Sequence, residues 1–303
     1  MKYATLLFFL LMVLISGCLD KTEKINLSAV EEPQKVINDP AVRVAIASLV
    51  SPKESYEYYE DMIQYISQKI GGSVKIVHRR SYKEINDLIK DNEIDFAFVS
   101  GGAYIEGKSE FGMKLLVAPV VNNNTTYNSY IIVQNESNYT NLTDLRGKKF
   151  AFSDPLSNSG QLYPAYRLYL INETPDSFFG KDEQGKNNLF YTFSHDNSII
   201  AVAEKLAEGA AVDSLVYNYL KETHPEIIAK TRIIEISPPF GIPPIVVSKD
   251  IDPFLEKKLR NIFLNMNNDE EGKKILANIR IEKFTNLNDS AYDSIREMRK
   301  HVS

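Results

Sequence analysis

The feature that most constrains this chain is an alternation of two hydrophobic periods, and it occurs twice. "VRVAIAS" (42–48) is an apolar, strand-like run, and "SYEYYEDMIQYISQKIG" (55–71) is helix-periodic and ends at glycine. "SVKIVH" (73–78) returns to strand character. "SYKEINDLIK" (81–90) opens with Ser81 and Glu84 at the spacing of a reciprocal helix cap. "IDFAFVS" (94–100) is a third strand, and the runs at 113–121 and 130–134 are extended. This β-α-β-α-β order with short links predicts a mostly parallel sheet with helices on both faces.

The order then restarts. Strands are expected at 147–153, 189–194 and 210–214, with helices at 158–172, at 196–209 (closed by Gly209) and at 215–223. Strands at 232–237 and 243–249 follow, and the last fifty residues read as helical apart from a short stretch near "IRIEKF". Two similar α/β units result, joined by extended segments near 120–130 and 236–244. The expected division is 41–127 with 238–303 as one lobe and 128–237 as the other. The C-terminal helices then return to the first lobe, with a cleft and a hinge between the two. At 303 residues and 44% hydrophobic, the chain is long enough for two cores.

The N-terminus stands apart. Lys2 precedes an apolar run at 4–15 of about a dozen residues, short of the roughly 20 that span a bilayer as a helix. It reads as a signal-peptide core over 1–17. "ISGC" (15–18) resembles the lipobox of prokaryotic lipoproteins, which implies a lipid on Cys18 after cleavage before it. Cys18 is the only cysteine, so no disulfide forms within the chain. Residues 18–40 read as a polar tether. The net charge is −5 without a long basic run, so nucleic acid is not an expected partner.

In open α/β sheets ligands sit beyond the carboxyl ends of the strands. That singles out the loops at 48–57, 100–105, 153–160, 194–198 and 213–217. In "SDPLSNSGQLYP" (153–164), Ser157, Asn158 and Ser159 precede Gly160 at the mouth of a helix. Free N–H groups there carry partial positive charge, and hydroxyls add donors, so the loop suits an oxyanion. A simple helix cap by Ser157 is the competing reading. "FSHDNS" offers His195 as a donor and Asp196 as a cap, "VDS" places Asp213 at a strand end, and "SGGAY" places Tyr104 at a strand-to-helix junction.

Together these segments resemble the phosphonate/phosphite/phosphate substrate-binding proteins of ABC importers. "SDPLSNSGQLYPAYRLYL" is similar to their S-T-S-G…P segment, "FSHDNSIIAV" to SHDAS and "GAAVDSLVY" to DAAAVDS. "IDFAFVSGGAYI" is similar to DLAFLGPAAY and "TYNSYIIV" to TYRSVIIV, in the same order from about residue 42 to 248. The resemblance implies a two-lobed periplasmic-binding-protein fold of type II-like architecture, an anion in the cleft and an ABC permease as partner. It implies Tyr104, Ser157, Asn158, Ser159 and His195 as oxyanion donors, with Asp213 facing the ligand. It also implies an aromatic from the first loop, for which Tyr58 is chosen over Tyr56 and Tyr59. Asn158 stands where the family has threonine. The loop "SPPFGIPP" (237–244) lacks the carboxylate of aminophosphonate binders, which favours phosphate, phosphite or a small alkylphosphonate.

On this reading His195 is the site's one cation and Asp213 its fixed anion. The chain is expected to be a monomer, without cofactor or metal and not an enzyme, since its four histidines (78, 195, 224 and 301) are widely separated. The alternatives are the same fold with a sulfonate, sulfate or carboxylate ligand, or an extracytoplasmic phosphatase-type enzyme.

Overall fold

The computed structural model describes residues 41–46 and 52–302, with side chains from Tyr59 onward in its first helix. The signal segment, Cys18, the tether and the side chains of Tyr56 and Tyr58 lie outside the described residues. No described helix is long and apolar enough to cross a membrane.

Three parallel strands form the heart of the first sheet: β1 (Val42–Ile46), β2 (Val74–Val77) and β3 (Phe96–Phe98). They are linked by α1 (Pro52–Ile70) and α2 (Tyr82–Lys90), and β3 leads into α3 (Gly101–Phe111). The expected cap of α2 is present: Ser81 Oγ accepts from Glu84 N, and the Glu84 carboxylate accepts from Ser81 N at 2.9 Å. β4 (Lys114–Val120), β12 (Ile245–Val247) and β13 (Lys283–Thr285) complete the order β13-β4-β12-β3-β1-β2.

The second sheet has the order β10-β6-β9-β7-β8. β7 (Phe150–Phe152), β8 (Leu189–Tyr191) and β9 (Gly209–Asp213) are parallel, while β6 (Ser129–Gln134) and β10 (Thr231–Ile236) complete it. Its connecting helices are α4 (Tyr163–Tyr169), α5 (Pro175–Phe179), α6 (His195–Ala203), α7 (Ser214–Thr223) and α8 (Pro225–Ile228). Phe150, Phe152, Phe178 and Phe179 fill one face, with Phe150 stacked on Phe179 at 4.6 Å. Each such ring stabilises the fold by about 1.5–3 kcal/mol through burial alone.

The sheets are mixed: β13 runs antiparallel to β4, and the other two exceptions, β6 and β12, share one cause. β6 and β12 are each the first strand to enter a sheet after a crossing from the other. They enter at the carboxyl ends of the parallel strands, so Ser129 lies opposite Asp213 and Ile245 opposite Phe98. Both therefore run antiparallel to their neighbours. The crossing segments pair with each other as β5 (Thr126–Tyr127) and β11 (Phe240–Gly241).

Two local expectations are corrected. The helix after β8 ends at Ala203, with Lys205 at φ 60° reversing the chain, so Gly209 opens β9 instead of closing the helix. The segment 158–172 begins as a π-turn over Asn158–Leu162 before α4. Helices α9 (Pro253–Asn265) and α10 (Glu270–Asn278) pack on the first sheet, whereas the last helix, α11 (Asp293–Val302), bridges both lobes. Its His301 ring lies 5.0 Å from Tyr169 of the second lobe, and Arg299 pairs with Glu106 of the first.

Candidate functional site

The loop after β7 turns sharply, exposes Pro155 and then buries its next polar residues: Ser157, Asn158 and Ser159 are each at most 1% exposed. Ser157 does cap, its Oγ accepting from Gly160 N at 3.0 Å. It also lies 3.3 Å from His195 Nε2. Gly160 is required by close approach, since a Cβ there would sit 1.8 Å from Ser153 Oγ and 2.9 Å from the His195 ring.

His195 is corrected from cation to neutral ring. It opens α6, which is capped by Ser194 in place of Asp196. Its Nδ1 accepts from the Asp213 backbone N–H at 3.0 Å, so the proton sits on Nε2. Burial pushes its pKa down to about 3. Nε2–H therefore donates to Ser157 Oγ. That oxygen then accepts from both Gly160 N and His195, and its own O–H remains as a donor.

Asp213 caps α7, its Oδ1 accepting from Leu215 N at 2.6 Å. Burial lifts its carboxyl to about 7, against the lowering effect of the Leu215 and Val216 N–H groups. Asn158 Nδ2 donates to the Tyr127 hydroxyl at 3.0 Å, while its Oδ1 has no partner. Ser159 also lies close to the Tyr127 hydroxyl.

Three tyrosines outside the second lobe complete the cluster. Tyr82 is 3% exposed, its hydroxyl has no partner among the described residues, and it senses Asp154, Asp213, Tyr127 and Tyr59. Burial holds it well above the usual tyrosine range, so it stays a donor. Tyr127 is likewise raised by burial. Tyr59, against Phe98 at 5.2 Å, is pushed up to about 12, chiefly by burial and then by Asp213. Of the first-loop tyrosines, Tyr59 is the one whose described side chain reaches this region.

Tyr104 is not brought to the cluster. Its hydroxyl donates to Asp289 at 2.6 Å and its ring meets Tyr292 edge-on at 5.0 Å. What α3 presents to the loop is its first turn, with Ser100 Oγ donating to Leu156 O at 2.7 Å. The residues missed from sequence are Tyr82, Tyr127 and Asp154. Tyr82 follows an edge strand whose loop was not among those singled out, and Tyr127 was quoted only within a resemblance.

The lobes meet directly across this cluster. Asp154 Oδ2 accepts from Tyr82 N, the first N–H of α2, at 3.1 Å. Arg80 lies over the Phe193 ring at 4.1 Å, and at the other side Arg280 pairs with Glu222 at 2.9 Å.

Chemically, the cluster presents neutral donors and helix starts to something small and anionic. It does not suit hydrolysis. A serine nucleophile needs an unprotonated Nε2, with Nδ1–H held by a carboxylate. Here Nδ1 is an acceptor and the ring is a very weak base. Among the described residues no group of three or more His, Cys, Asp or Glu side chains could hold a metal ion.

A family model described as "ABC transporter, phosphonate, periplasmic substrate-binding protein" matches residues 44–292. A phosphonates-binding periplasmic protein of Escherichia coli is 24% identical over 273 residues, 88% of this chain and 77% of that one. The phosphate-import protein PhnD of Mycolicibacterium smegmatis is 28% identical over 163 residues, 52% of this chain and 50% of that one. Among solved structures, a binding protein component of an ABC phosphonate transporter from Pseudomonas aeruginosa has a TM-score of 0.79 at 24% identity, covering 86% of this chain and 85% of that chain. A Prochlorococcus marinus protein solved in complex with methylphosphonate has a TM-score of 0.75 at 17% identity, covering 86% and 97%. These likenesses show a two-lobed α/β periplasmic-binding-protein fold. The relatives are transporter components and not enzymes.

Proposed function

Since the chain belongs to the phosphonate periplasmic substrate-binding protein family of ABC transporters, we propose that it holds a phosphorus oxyanion between its lobes and delivers it to a permease. The family makes it an extracytoplasmic binding component of an importer. The ligand, in this reading, is phosphate, phosphite or a phosphonate. Its anchor is a lipid on Cys18, and release follows opening about the β5–β11 crossing.

The observation that carries the reading is the set of unspent polar atoms in a buried cluster. The Ser157 O–H and the Tyr82 hydroxyl are donors without an acceptor; Asn158 Oδ1 is an acceptor without a donor. Leaving such atoms unpaired costs about 1–3 kcal/mol each. A phosphorus oxyanion that keeps one proton satisfies both kinds at once. Its oxygens accept from Ser157, Ser159, Tyr82 and Tyr127, and its P–O–H donates to Asn158 or Asp213. His195 then acts by orienting Ser157.

Thermal unfolding with phosphate, phosphite and methylphosphonate at millimolar concentration tests this. The expected result is a concentration-dependent rise in Tm, lost in Ser159→Ala. No shift with any of the three would reject this ligand class. The anchor is tested by fractionation: wild type should sediment with membranes and Cys18→Ser should not, and equal solubility would refute lipidation.

A further inference from the structure

Beside the cluster lies a cavity of about 600 Å³ between α7 on one side and the end of α10 with the returning crossing on the other. Its apolar lining includes Tyr59, Phe98, Leu215, Val216, Ile242 and Pro243, and Glu222, Lys273, Arg280 and Glu282 also line it. Leu215 and Val216 connect it to the anion cluster. Their side chains line the cavity, while their N–H groups bond Asp213. Tyr59 connects it a second time, since its ring lines the cavity and its hydroxyl senses Asp213. Cavity and cluster are therefore two sides of one turn of helix.

We propose that this cavity takes an apolar organic group carried on the phosphorus atom, so that the preferred ligand is an organophosphonate or phosphate monoester with a hydrocarbon or aromatic substituent. The inference rests on the phosphorus-oxyanion reading above and deepens it. The volume lies within the 300–1,000 Å³ of ordinary small-molecule pockets and far exceeds what a bare anion needs. The carboxylates that line it, Glu222 and Glu282, are already engaged, so a substituent amine there would find no unpaired counter-charge. Glu222 is tied to Arg280, and Glu282 accepts from Asn123 N. The Arg280–Glu222 pair joins the residues after α10 to α7 beside the cavity.

Calorimetric titration with methyl-, propyl-, phenyl- and 2-aminoethylphosphonate tests this, with Ala277→Trp and Asn278→Trp as variants that narrow the cavity from its exposed side. Neither residue belongs to the anion cluster. Wild type should bind phenylphosphonate about tenfold or more tighter than methylphosphonate, and propyl about tenfold tighter than 2-aminoethylphosphonate. The tryptophan variants should lose phenylphosphonate affinity about tenfold and keep methylphosphonate affinity within about twofold. If methylphosphonate binds but the phenyl and propyl preferences are absent, the cavity inference is overturned and the oxyanion reading stands. The same holds if the amine-bearing ligand binds best. If no phosphonate binds, both fall.

Discussion

Tyr82 and Tyr104 invite comparison. Both sit early in helices of the first lobe, both are at most 3% exposed, and both have a hydroxyl raised well above the tyrosine range. Tyr104 spends its hydroxyl on Asp289, which Lys108 and Arg296 also hold. That network fixes the start of α11 against α3. Tyr82 spends its hydroxyl on no described residue, yet lies near Asp213 and Tyr127. On the proposed function, burial alone does not separate a structural tyrosine from a binding one. The state of the hydroxyl does.

The largest expected effect separates the two directly. Tyr82→Phe should weaken methylphosphonate binding by about ten- to a hundredfold, as for the loss of a hydrogen bond to a charged group. Its stability without ligand should be unchanged or slightly higher, because an unpaired buried hydroxyl is removed. Tyr104→Phe should do the reverse, with affinity kept and stability lowered by about 1 kcal/mol, Asp289 being partly exposed. Titration and urea unfolding of both variants check this. Equal affinity losses would erase the distinction.

A second contrast sharpens it through pH. The pKa of His195 is lowered to about 3, so its burial favours folding increasingly as pH rises from about 3 to 6.5. The pKa of Asp213 is raised to about 7, so its contribution is full near pH 4 and is lost as pH rises through 7. Between about pH 4 and 6.5 the two slopes oppose. Asp213→Asn keeps the helix cap but removes one slope. Its stability should then climb toward pH 6.5 by up to about 1.4 kcal/mol per pH unit more than wild type. Parallel urea-midpoint profiles for the two proteins would show that Asp213 does not titrate as described.

The smallest expected effect separates cap from site within one loop. Ser157→Ala should cost about 1 kcal/mol of stability, as for a lost N-cap, and also weaken binding. Ser159→Ala should weaken binding with little loss of stability, since no cap depends on its hydroxyl. A stability loss in Ser159→Ala matching that of Ser157→Ala would make the loop purely structural.

Much of this was legible in the sequence because it depends on local signals. Hydrophobic periods located most of the strands and helices, and the loop 153–160 stood out by its own residues. What was not legible depends on crossings and on pairs. The antiparallel sense of β6 and β12 follows from where the chain re-enters a sheet, which periodicity does not report. His195 looked like a cation because its type titrates near neutrality, but the Asp213 N–H and burial hold it neutral. Tyr104 and Tyr82 carry the same side chain beside similar helix starts. Only the distant Asp289, supplied 185 residues later, tells them apart.

The central claim is that a buried set of neutral donors, with Asn158 Oδ1 and Asp213 as acceptors, selects an oxyanion that keeps a proton. Inorganic phosphate keeps one proton at and above neutral pH and sulfate keeps none, while phosphate esters, with a second pKa of about 6, have mostly lost theirs by pH 7. Calorimetric titration of wild type and Asp213→Asn with phosphate and sulfate at pH 8, above the Asp213 pKa of about 7, measures this directly. The account predicts that sulfate binds wild type about tenfold or more weakly, about 1.4 kcal/mol. It also predicts that Asp213→Asn narrows the gap, because an amide donates to sulfate where a carboxylate repels it. Tight sulfate binding by wild type, or an unchanged ratio in Asp213→Asn, would contradict it.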